Sequence, residues 1–231
     1  MATKKPQDAT MKMAIEIPEL KLQSFALKIV GDTPLISHAW NEKAKQMMMD
    51  KQLKKASVGR ELRRAWVEFA DSLYWLTDKP NLEGLTDEEA RDVLQEVIPQ
   101  SKFGFPVIAF KAAALDAGFQ QGALVRNAGG NDLAKTTARG AFHIIGDEFA
   151  VIEGIPTIRE DMVRVGGTSK QPDFRYRAEF KTWHTELLIS YNTRTITPSQ
   201  IANLFKLGGF ANGVGEWRPA RNGNFGTFHI E

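Results

Sequence analysis

The residues with the clearest chemical potential lie near the C-terminus of the 231-residue chain, in a glycine-rich passage that also carries arginine and tryptophan. Six glycines fall within the nineteen residues 208–226. Because glycine has no Cβ, its backbone N–H groups can converge on an anion and the chain can approach a ligand closely. Arg218 and Arg221 can donate paired hydrogen bonds to phosphate oxygens, and Trp217 can stack on a base. The passage therefore predicts a hairpin that grips the phosphate backbone of a single-stranded nucleic acid.

The spacing of these residues excludes two common nucleotide-binding motifs. A dinucleotide fingerprint would be met only by Gly213 and Gly215, because Arg218 stands where a third glycine is needed and the passage is predicted to follow a helix. No phosphate-binding Gly-Lys-Ser/Thr loop is present. One alternative remains open, in which the glycines only shape a long hairpin and Trp217 is buried in the core.

Other cations could extend the same surface. The net charge is only +2, so a nucleic-acid contact must be local. The segment Asn41–Arg64 holds eight Lys or Arg against three acids, whereas Glu83–Glu96 is acidic, and this asymmetry predicts one anion-facing side. Lys111, with Lys102 nearby, is predicted near the start of a helix, where phosphate binds favourably. The candidate lysines on the basic segment are Lys43, Lys54 and Lys55. A solvated helix face is the alternative for each lysine.

The histidines offer little catalytic or metal chemistry. His38, His143, His184 and His229 lack metal-ligand spacing, and there is no cysteine, so we expect no metal, no cofactor and no disulfide. His38 and Asp32 are candidates for a general acid or base. Each also has a structural interpretation, as a hydrogen-bonding residue and a turn residue. No paired acid and base can be named, so we expect a binding protein, with a metal-independent ribonuclease as an alternative.

The predicted elements around these residues follow from periodicity, caps and breakers. Predicted strands are Ser24–Val30, Ala141–Ile145 and Phe149–Ile152 joined by a tight turn, Ile155–Val165, the β-rich Phe174–Tyr191, and Phe225–Ile230. Predicted helices are Asn41–Leu53, Arg60–Leu76, one capped by Thr86 and ended by Pro99, Phe105–Gly118, and one capped by Thr197 and stopped by Gly208 and Gly209. Loops are predicted at 126–139 and 166–173.

This order predicts an α+β fold. Without a helical insertion at about 41–98, after the first strand, it reads β-α-β-β-α-β, the plan of a ferredoxin-like antiparallel sheet. We expect residues 1–20 to form a flexible arm and residues 21–231 a single domain. Residues 1–13 lack the apolar core of a secretory signal, and no apolar run is long enough to span a membrane. A cytoplasmic protein without membrane contact is therefore expected.

Three stretches together resemble a known family. The C-terminal passage reads Gly-x-Gly-x-Trp-Arg from Gly213 and Gly-x-Phe-Gly-x-Phe from Gly223. The segment Gly31-Asp-Thr-Pro-Leu-Ile-Ser-His follows the first strand, and Phe105-Pro-Val-Ile-Ala-Phe-Lys-Ala-Ala-Ala-Leu opens a helix. In their order along the chain, from Gly31 to the C-terminal passage, they are similar to motifs of the repeat-associated RAMP superfamily, whose members include backbone and guide-processing subunits of CRISPR effector complexes. Ala112 stands where that family often has glycine.

The resemblance implies a modified RRM fold that binds RNA along its backbone and often assembles side by side on it. The expected partners are therefore single-stranded RNA or DNA, and further copies or related subunits. Stacking and phosphate contacts are shared by RNA and single-stranded DNA, so both stay open, with RNA as the first expectation. A structural or assembly protein without nucleic acid, for instance a viral component, is a further alternative.

Overall fold

The computed structural model describes residues 19–40, 42–53, 63–120, 135–165 and 171–231. Residues 1–18 of the predicted N-terminal arm lie outside the described residues, as do Lys54, Lys55 and most of the two predicted loops, 126–134 and 166–170.

Strands and helices alternate along the chain. The strands are β1 Leu22–Gly31, β2 Leu35–Ser37, β3 Tyr74–Trp75, β4 Phe103–Pro106, β5 Phe142–Ile145, β6 Phe149–Ile152, β7 Pro156–Val165, β8 Gln171–Phe180, β9 His184–Asn192 and β10 Phe228–Ile230. The helices are α1 Glu42–Gln52, α2 Ala65–Asp71, α3 Asp87–Val97, α4 Val107–Gln120, α5 Lys135–Ala141 and α6 Pro198–Ala211, with short 3₁₀ turns at Ile98–Gln100 and Pro219–Arg221. The predicted α+β class is confirmed.

The largest sheet has the strand order β10-β1-β9-β5, and every neighbouring pair in it is antiparallel. Along β1, Leu27 and Ile29 are buried whereas Ala26 and Lys28 are exposed, so one face of the sheet is packed and the other is open. Helices α4 and α6 pack against each other and cover the buried face. The core between them is aromatic and fully buried, with Phe110, Phe142, Phe205 and Phe228 in edge or tilted ring contacts.

Two smaller sheets flank this one, with strand orders β2-β8-β7 and β3-β4-β6. The strands predicted on either side of Gly146 are confirmed as β5 and β6, but they do not pair with each other. Strand β5 pairs with β9, and β6 pairs with β4, although Gly146 does make a turn between them with φ +112°. The two strands therefore belong to different sheets, and each buries its apolar residues against a different neighbour: Phe142 of β5 contacts α6, and Ile152 of β6 lies opposite Phe103.

Both predicted helix caps are confirmed. The Thr86 hydroxyl accepts a hydrogen bond from the Glu89 amide at 3.3 Å, and the Glu89 carboxylate accepts one from the Thr86 amide at 2.7 Å. These bonds hold the pKa of Glu89 below its ordinary value. Thr197 and Gln200 make the same reciprocal pair at the start of α6, with Pro198 as its first residue. Each pair satisfies amides that have no partner inside the helix.

The prediction that Gly208 and Gly209 stop α6 is wrong, because the helix continues to Ala211. Both glycines are buried and serve packing. A Cβ on Gly208 would lie 2.6 Å from the backbone of Ala114 in α4, and one on Gly209 would overlap the carbonyl oxygen of Phe228 in β10. Glycine lets α6 approach α4 and the sheet edge more closely than any other residue could.

Several predicted boundaries also shift. Within the predicted helix Arg60–Leu76, the described helix covers only α2, and the chain then turns into β3. The start of the predicted helix Phe105–Gly118 belongs to β4, and α4 runs past Gly118 to Gln120. The predicted loop 126–139 is helical from Lys135. The continuous β signal Phe174–Tyr191 divides into β8 and β9. No helix in the described ranges has the length and apolar character needed to cross a membrane.

Candidate functional site

One cleft of about 400 Å³, also lined by Tyr74 of β3, brings together three segments that are far apart in sequence. His38 reaches it just after β2, the first turns of α4 form one wall, and the glycine-rich loop 212–227 between α6 and β10 forms the other. Gly213, Gly215, Arg218 and Arg221, all predicted as site residues, line this cleft. The same three segments carry the family motifs quoted from the sequence. We call this space the loop cleft.

The wall from α4 is flat because its side chains are small. Ala109, Ala112 and Ala113 line the loop cleft, so the helix backbone comes close to the loop. The start of the loop is fixed to this helix, since the buried Asn212 side-chain amide donates to the Ala113 carbonyl at 3.1 Å. The alanine-rich composition of α4 therefore positions the glycine-rich loop.

The loop is compact and is not the predicted hairpin. Gly213, Gly215 and Gly226 have φ values of +62°, +81° and +66°, which favour glycine. Several glycine amides are used internally: those of Gly213, Gly223 and Gly226 donate to the carbonyls of Gly208, Arg218 and Pro34 at 2.9, 3.1 and 2.8 Å. These three glycines therefore do not present bare amides to a ligand, whereas the amide of Gly215 has no hydrogen-bond partner among the described residues. The glycines instead shape the loop, as the alternative interpretation held.

Trp217 is not buried in the core, so the alternative interpretation is wrong for this residue. Its side chain is 40% exposed, and its backbone has φ +52°, a left-handed conformation that is rare for a bulky residue. The conformation is held by hydrogen bonds from the Phe225 amide to the Trp217 carbonyl and from the Gly223 amide to the Arg218 carbonyl, both 3.1 Å. Strain of this kind costs about 1–3 kcal/mol and is characteristic of functional positions.

The two loop arginines keep most of their donor capacity. Arg218 is partly buried, and its Nη1 donates to the Gly215 carbonyl at 2.8 Å. Arg221 is exposed. Within the described part of the chain, neither guanidinium is ion-paired, unlike Arg63, which binds Glu68 and Asp173. The loop therefore presents two guanidinium groups at one edge of the loop cleft.

The loop cleft also holds an acidic residue that sequence reasoning missed. The Glu216 carboxylate lies 3.3 Å from Nδ1 of His38, and this hydrogen bond, aided by the charges of Arg177 and Arg218, holds the pKa of Glu216 below its ordinary value. Tyr74 lines the same space, and its burial and the charge of Glu216 raise its pKa. The position of Glu216 between Gly215 and Trp217 was the only sequence signal for it.

Asp32 and Lys111 lie away from the loop cleft. Asp32 pairs with Nδ1 of His229 at 2.6 Å, so His38 and Asp32 are not partners. Lys111 faces the other side of α4, where its ammonium donates to the carbonyls of Arg139 and Phe142, both at 2.8 Å. Burial lowers the pKa of Lys111. It is the fifth residue of α4 and links that helix to α5 and β5, so its predicted place in a phosphate site at the helix start does not match this geometry.

The other predicted lysines do not join the loop cleft in the described residues. Lys102 is exposed at the entrance to β4, where its amide donates to the Thr77 hydroxyl. Lys43 lies in α1, and Lys54 and Lys55 fall outside the described residues. Nor do the described ranges contain three or more His, Asp or Glu side chains grouped to hold a metal ion.

Comparison with known proteins finds likenesses among solved structures. No family model and no curated protein sequence matches the chain. Among solved structures, the crystal structure of Cmr6 from Pyrococcus furiosus is similar over 92% of this chain and 100% of that one, with 11% sequence identity and a TM-score of 0.30. A likeness at this TM-score is too low to carry an argument about fold or function.

Proposed function

We propose that this protein binds a single-stranded nucleic acid, with RNA as the first candidate, along the mouth of the loop cleft. Arg218 and Arg221 hold successive phosphates, and the indole of Trp217 stacks on a base. Binding of this kind does not depend on base sequence, because the phosphates are identical along the strand and every base has a face that can stack.

The observation that carries the proposal is Trp217 itself. A loop that needed only to turn would have glycine or asparagine at φ +52°, whereas this loop keeps a large, exposed aromatic side chain there. Arg218 is the next residue and Arg221 follows three residues later, and neither has an ion pair among the described residues. An exposed aromatic ring next to cations is the combination found in single-strand binding sites. Trp40, 65% exposed and two residues beyond His38, offers a second ring near the same segment.

We further propose that the main sheet is ferredoxin-like, with the segment at about 41–98 as an insertion, and that the chain is a RAMP-like subunit. The strand order β10-β1-β9-β5, with α4 leading to β5 and α6 leading to β10, supports this topology. The meeting of the three motif-bearing segments at one cleft supports the same assignment.

As part of this proposal the protein works as a repeating subunit along the strand. The purified protein should then form larger particles when single-stranded RNA is added, with a 260 to 280 nm absorbance ratio that rises in the same fraction. Large particles that form equally well without nucleic acid would favour an assembly protein instead.

The test of the binding proposal is the salt dependence of affinity for a labelled single-stranded RNA. Arg221→Ala should weaken binding to all sequences and reduce the slope of log affinity against log salt by about 0.7, since one phosphate contact is lost. Arg218→Ala should act in the same direction. If affinity and slope are unchanged in the double variant, the loop does not bind phosphate.

Arg194→Ala is the matched control. Arg194 is exposed just beyond Asn192, which pairs with Leu22 at the first residue of β1. The glycine-rich loop meets the other end of this strand, where the Asp32 amide donates to the Thr227 carbonyl. A ten-residue strand separates the two ends by about 30 Å. Removing this arginine should therefore change net charge equally without changing the salt slope.

A ribonuclease is the second candidate, because the structure brings Glu216 and His38 together as a pair of adjacent titratable groups. No such pair could be named from the sequence. Labelled RNA incubated with the wild-type protein should be cut if this candidate is correct, and His38→Ala should stop the cutting. RNA that is bound but stays intact, without added metal, would contradict it.

A further inference from the structure

The interior of the loop cleft has the shape and lining of a base pocket. Its volume of about 400 Å³ lies at the small end of the range for ligand sites, which runs from about 300 to 1,000 Å³. One side is formed by α4 and its approach, and it is apolar from Phe105 and Pro106 to Ala112, with Asp116 one turn further along the helix. A planar ring fits against the apolar part of this wall, because no long side chain projects from it.

The opposite side carries a carboxylate acceptor. Among the described residues, one oxygen of Glu216, Oε1, is engaged by the side chain of His38, and no group donates a hydrogen bond to Oε2. Because its pKa lies below the ordinary value, Glu216 is ionised at neutral pH and can only accept hydrogen bonds. A ligand edge that meets this carboxylate must therefore present a donor.

This property separates the bases into two groups. Cytosine carries an exocyclic amino group, whereas uracil, of nearly the same size, carries a carbonyl oxygen at the same ring position. An amino group would donate to Glu216, as acidic side chains accept from the amino group of cytosine elsewhere. Uracil offers the carboxylate only its ring N3–H, which lies between two carbonyl oxygens. Either of these oxygens would then face the carboxylate with no proton between them, which leaves a desolvated acceptor unpaired.

We propose that the loop cleft takes one unstacked base of the bound strand and that Glu216 selects a base with an exocyclic amino group, so that cytosine is preferred to uracil. This inference rests on the proposed function, since it concerns the same site. Trp217 and the two loop arginines hold the strand without reading it, and Glu216 reads one position.

The experiment compares oligo(C) and oligo(U) of equal length at pH 7.5 by fluorescence anisotropy. Wild-type protein should bind oligo(C) about 5- to 150-fold more tightly, the range for one good base contact. Glu216→Gln should abolish or invert this preference, because the glutamine amide can donate to the uracil carbonyl. Glu96→Gln, at an exposed position of α3, is the matched control and should keep the preference.

The outcomes separate this inference from the proposed function. If wild type binds neither oligonucleotide, the proposed function fails and the base pocket fails with it. If both bind equally, or if Glu216→Gln keeps the cytosine preference, the base pocket is wrong while strand binding stands.

A second variant keeps the test valid if Glu216→Gln folds poorly. Ala112 is exposed and lines the loop cleft, so Ala112→Leu should fill the space without disturbing the core. It should reduce oligo(C) affinity to the level of oligo(U) and leave oligo(U) unchanged. A retained cytosine preference in this variant would overturn the base pocket.

Discussion

The two sides of helix α4 differ in what their cations do. On one side, the Lys111 ammonium donates hydrogen bonds to two backbone carbonyls and lies 5.2 Å from the centre of the Phe142 ring. On the other side, Arg221 stands at the edge of the loop cleft with no ion pair in the described part of the chain. Both residues were equal candidates for phosphate binding by sequence. The difference shows that nearby carbonyls decide whether a cation serves the fold or remains available to a ligand.

The glycines repeat this contrast. Gly208 and Gly209 are packed between α4 and β10, whereas Gly213 and Gly215 shape a loop that exposes Trp217. The side around Lys111 and the α6 glycines should therefore respond to substitution with lost stability, and the mouth of the loop cleft with lost binding.

Gly209→Ala should have the largest effect. Alanine normally stabilises a helix relative to glycine, but here the added Cβ overlaps the Phe228 carbonyl, and we expect a loss of about 3 kcal/mol in the free energy of unfolding. Gly140→Ala is the matched control, since nothing lies within 4 Å of its Cβ in α5, and it should gain about 0.5–1 kcal/mol. Urea unfolding measures both. Equal stability of the two variants would contradict the close approach of α6 to β10.

Trp217→Ala should reduce affinity for single-stranded RNA by about 1–3 kcal/mol, the contribution of one stacked base. Trp217→Gly should bind equally weakly. Because glycine accepts φ +52° without strain, the glycine variant should be more stable than the alanine variant by about 1 kcal/mol. Anisotropy and thermal unfolding report the two quantities separately. Wild-type affinity in both variants would remove Trp217 from the interface.

Lys111→Met should lower stability by about 1–3 kcal/mol, because the carbonyls of Arg139 and Phe142 lose their donor. RNA affinity at a temperature where the variant is folded should not change. Lys102→Met, at an exposed position, is the control for loss of one positive charge. If Lys111→Met weakens RNA affinity and Lys102→Met does not, Lys111 contributes to RNA binding, and the distinction between the two sides of α4 is wrong.

The smallest expected effect is at acid pH. The pKa of Glu216 in the folded protein lies below its ordinary value of 4.5, mainly because of the hydrogen bond with His38. The ionised carboxylate therefore stabilises the fold above pH 4.5, and this contribution is lost as the pH falls through the lower folded-state pKa. As the pH falls below 4.5, wild type should lose more stability than Glu216→Gln. If the stability of wild type and of Glu216→Gln falls equally with pH, the ionised carboxylate does not stabilise the fold.

Local signals in the sequence predicted the longer elements, although the short strands β2, β3 and β4 were not predicted. Caps at Thr86 and Thr197 fixed the starts of α3 and α6, and alternation identified β1. Contacts between distant segments could not be predicted in this way. Nothing near Gly209 in sequence indicates that β10 will touch it, and nothing near Lys111 indicates the carbonyls that it binds. For the same reason, nothing near His38 in sequence indicates that its partner is Glu216, 178 residues away.

Amide hydrogen exchange with and without a single-stranded RNA tests the central claim most directly. In the described residues, the amides of Gly215 and Trp217 make no hydrogen bond within the chain, and both border the proposed phosphate path. Binding should slow exchange in the loop 212–222 and near His38, while the segment around Lys111 and Arg139 stays unchanged. Protection confined to the Lys111 side, or none in the loop at saturating RNA, would contradict the account.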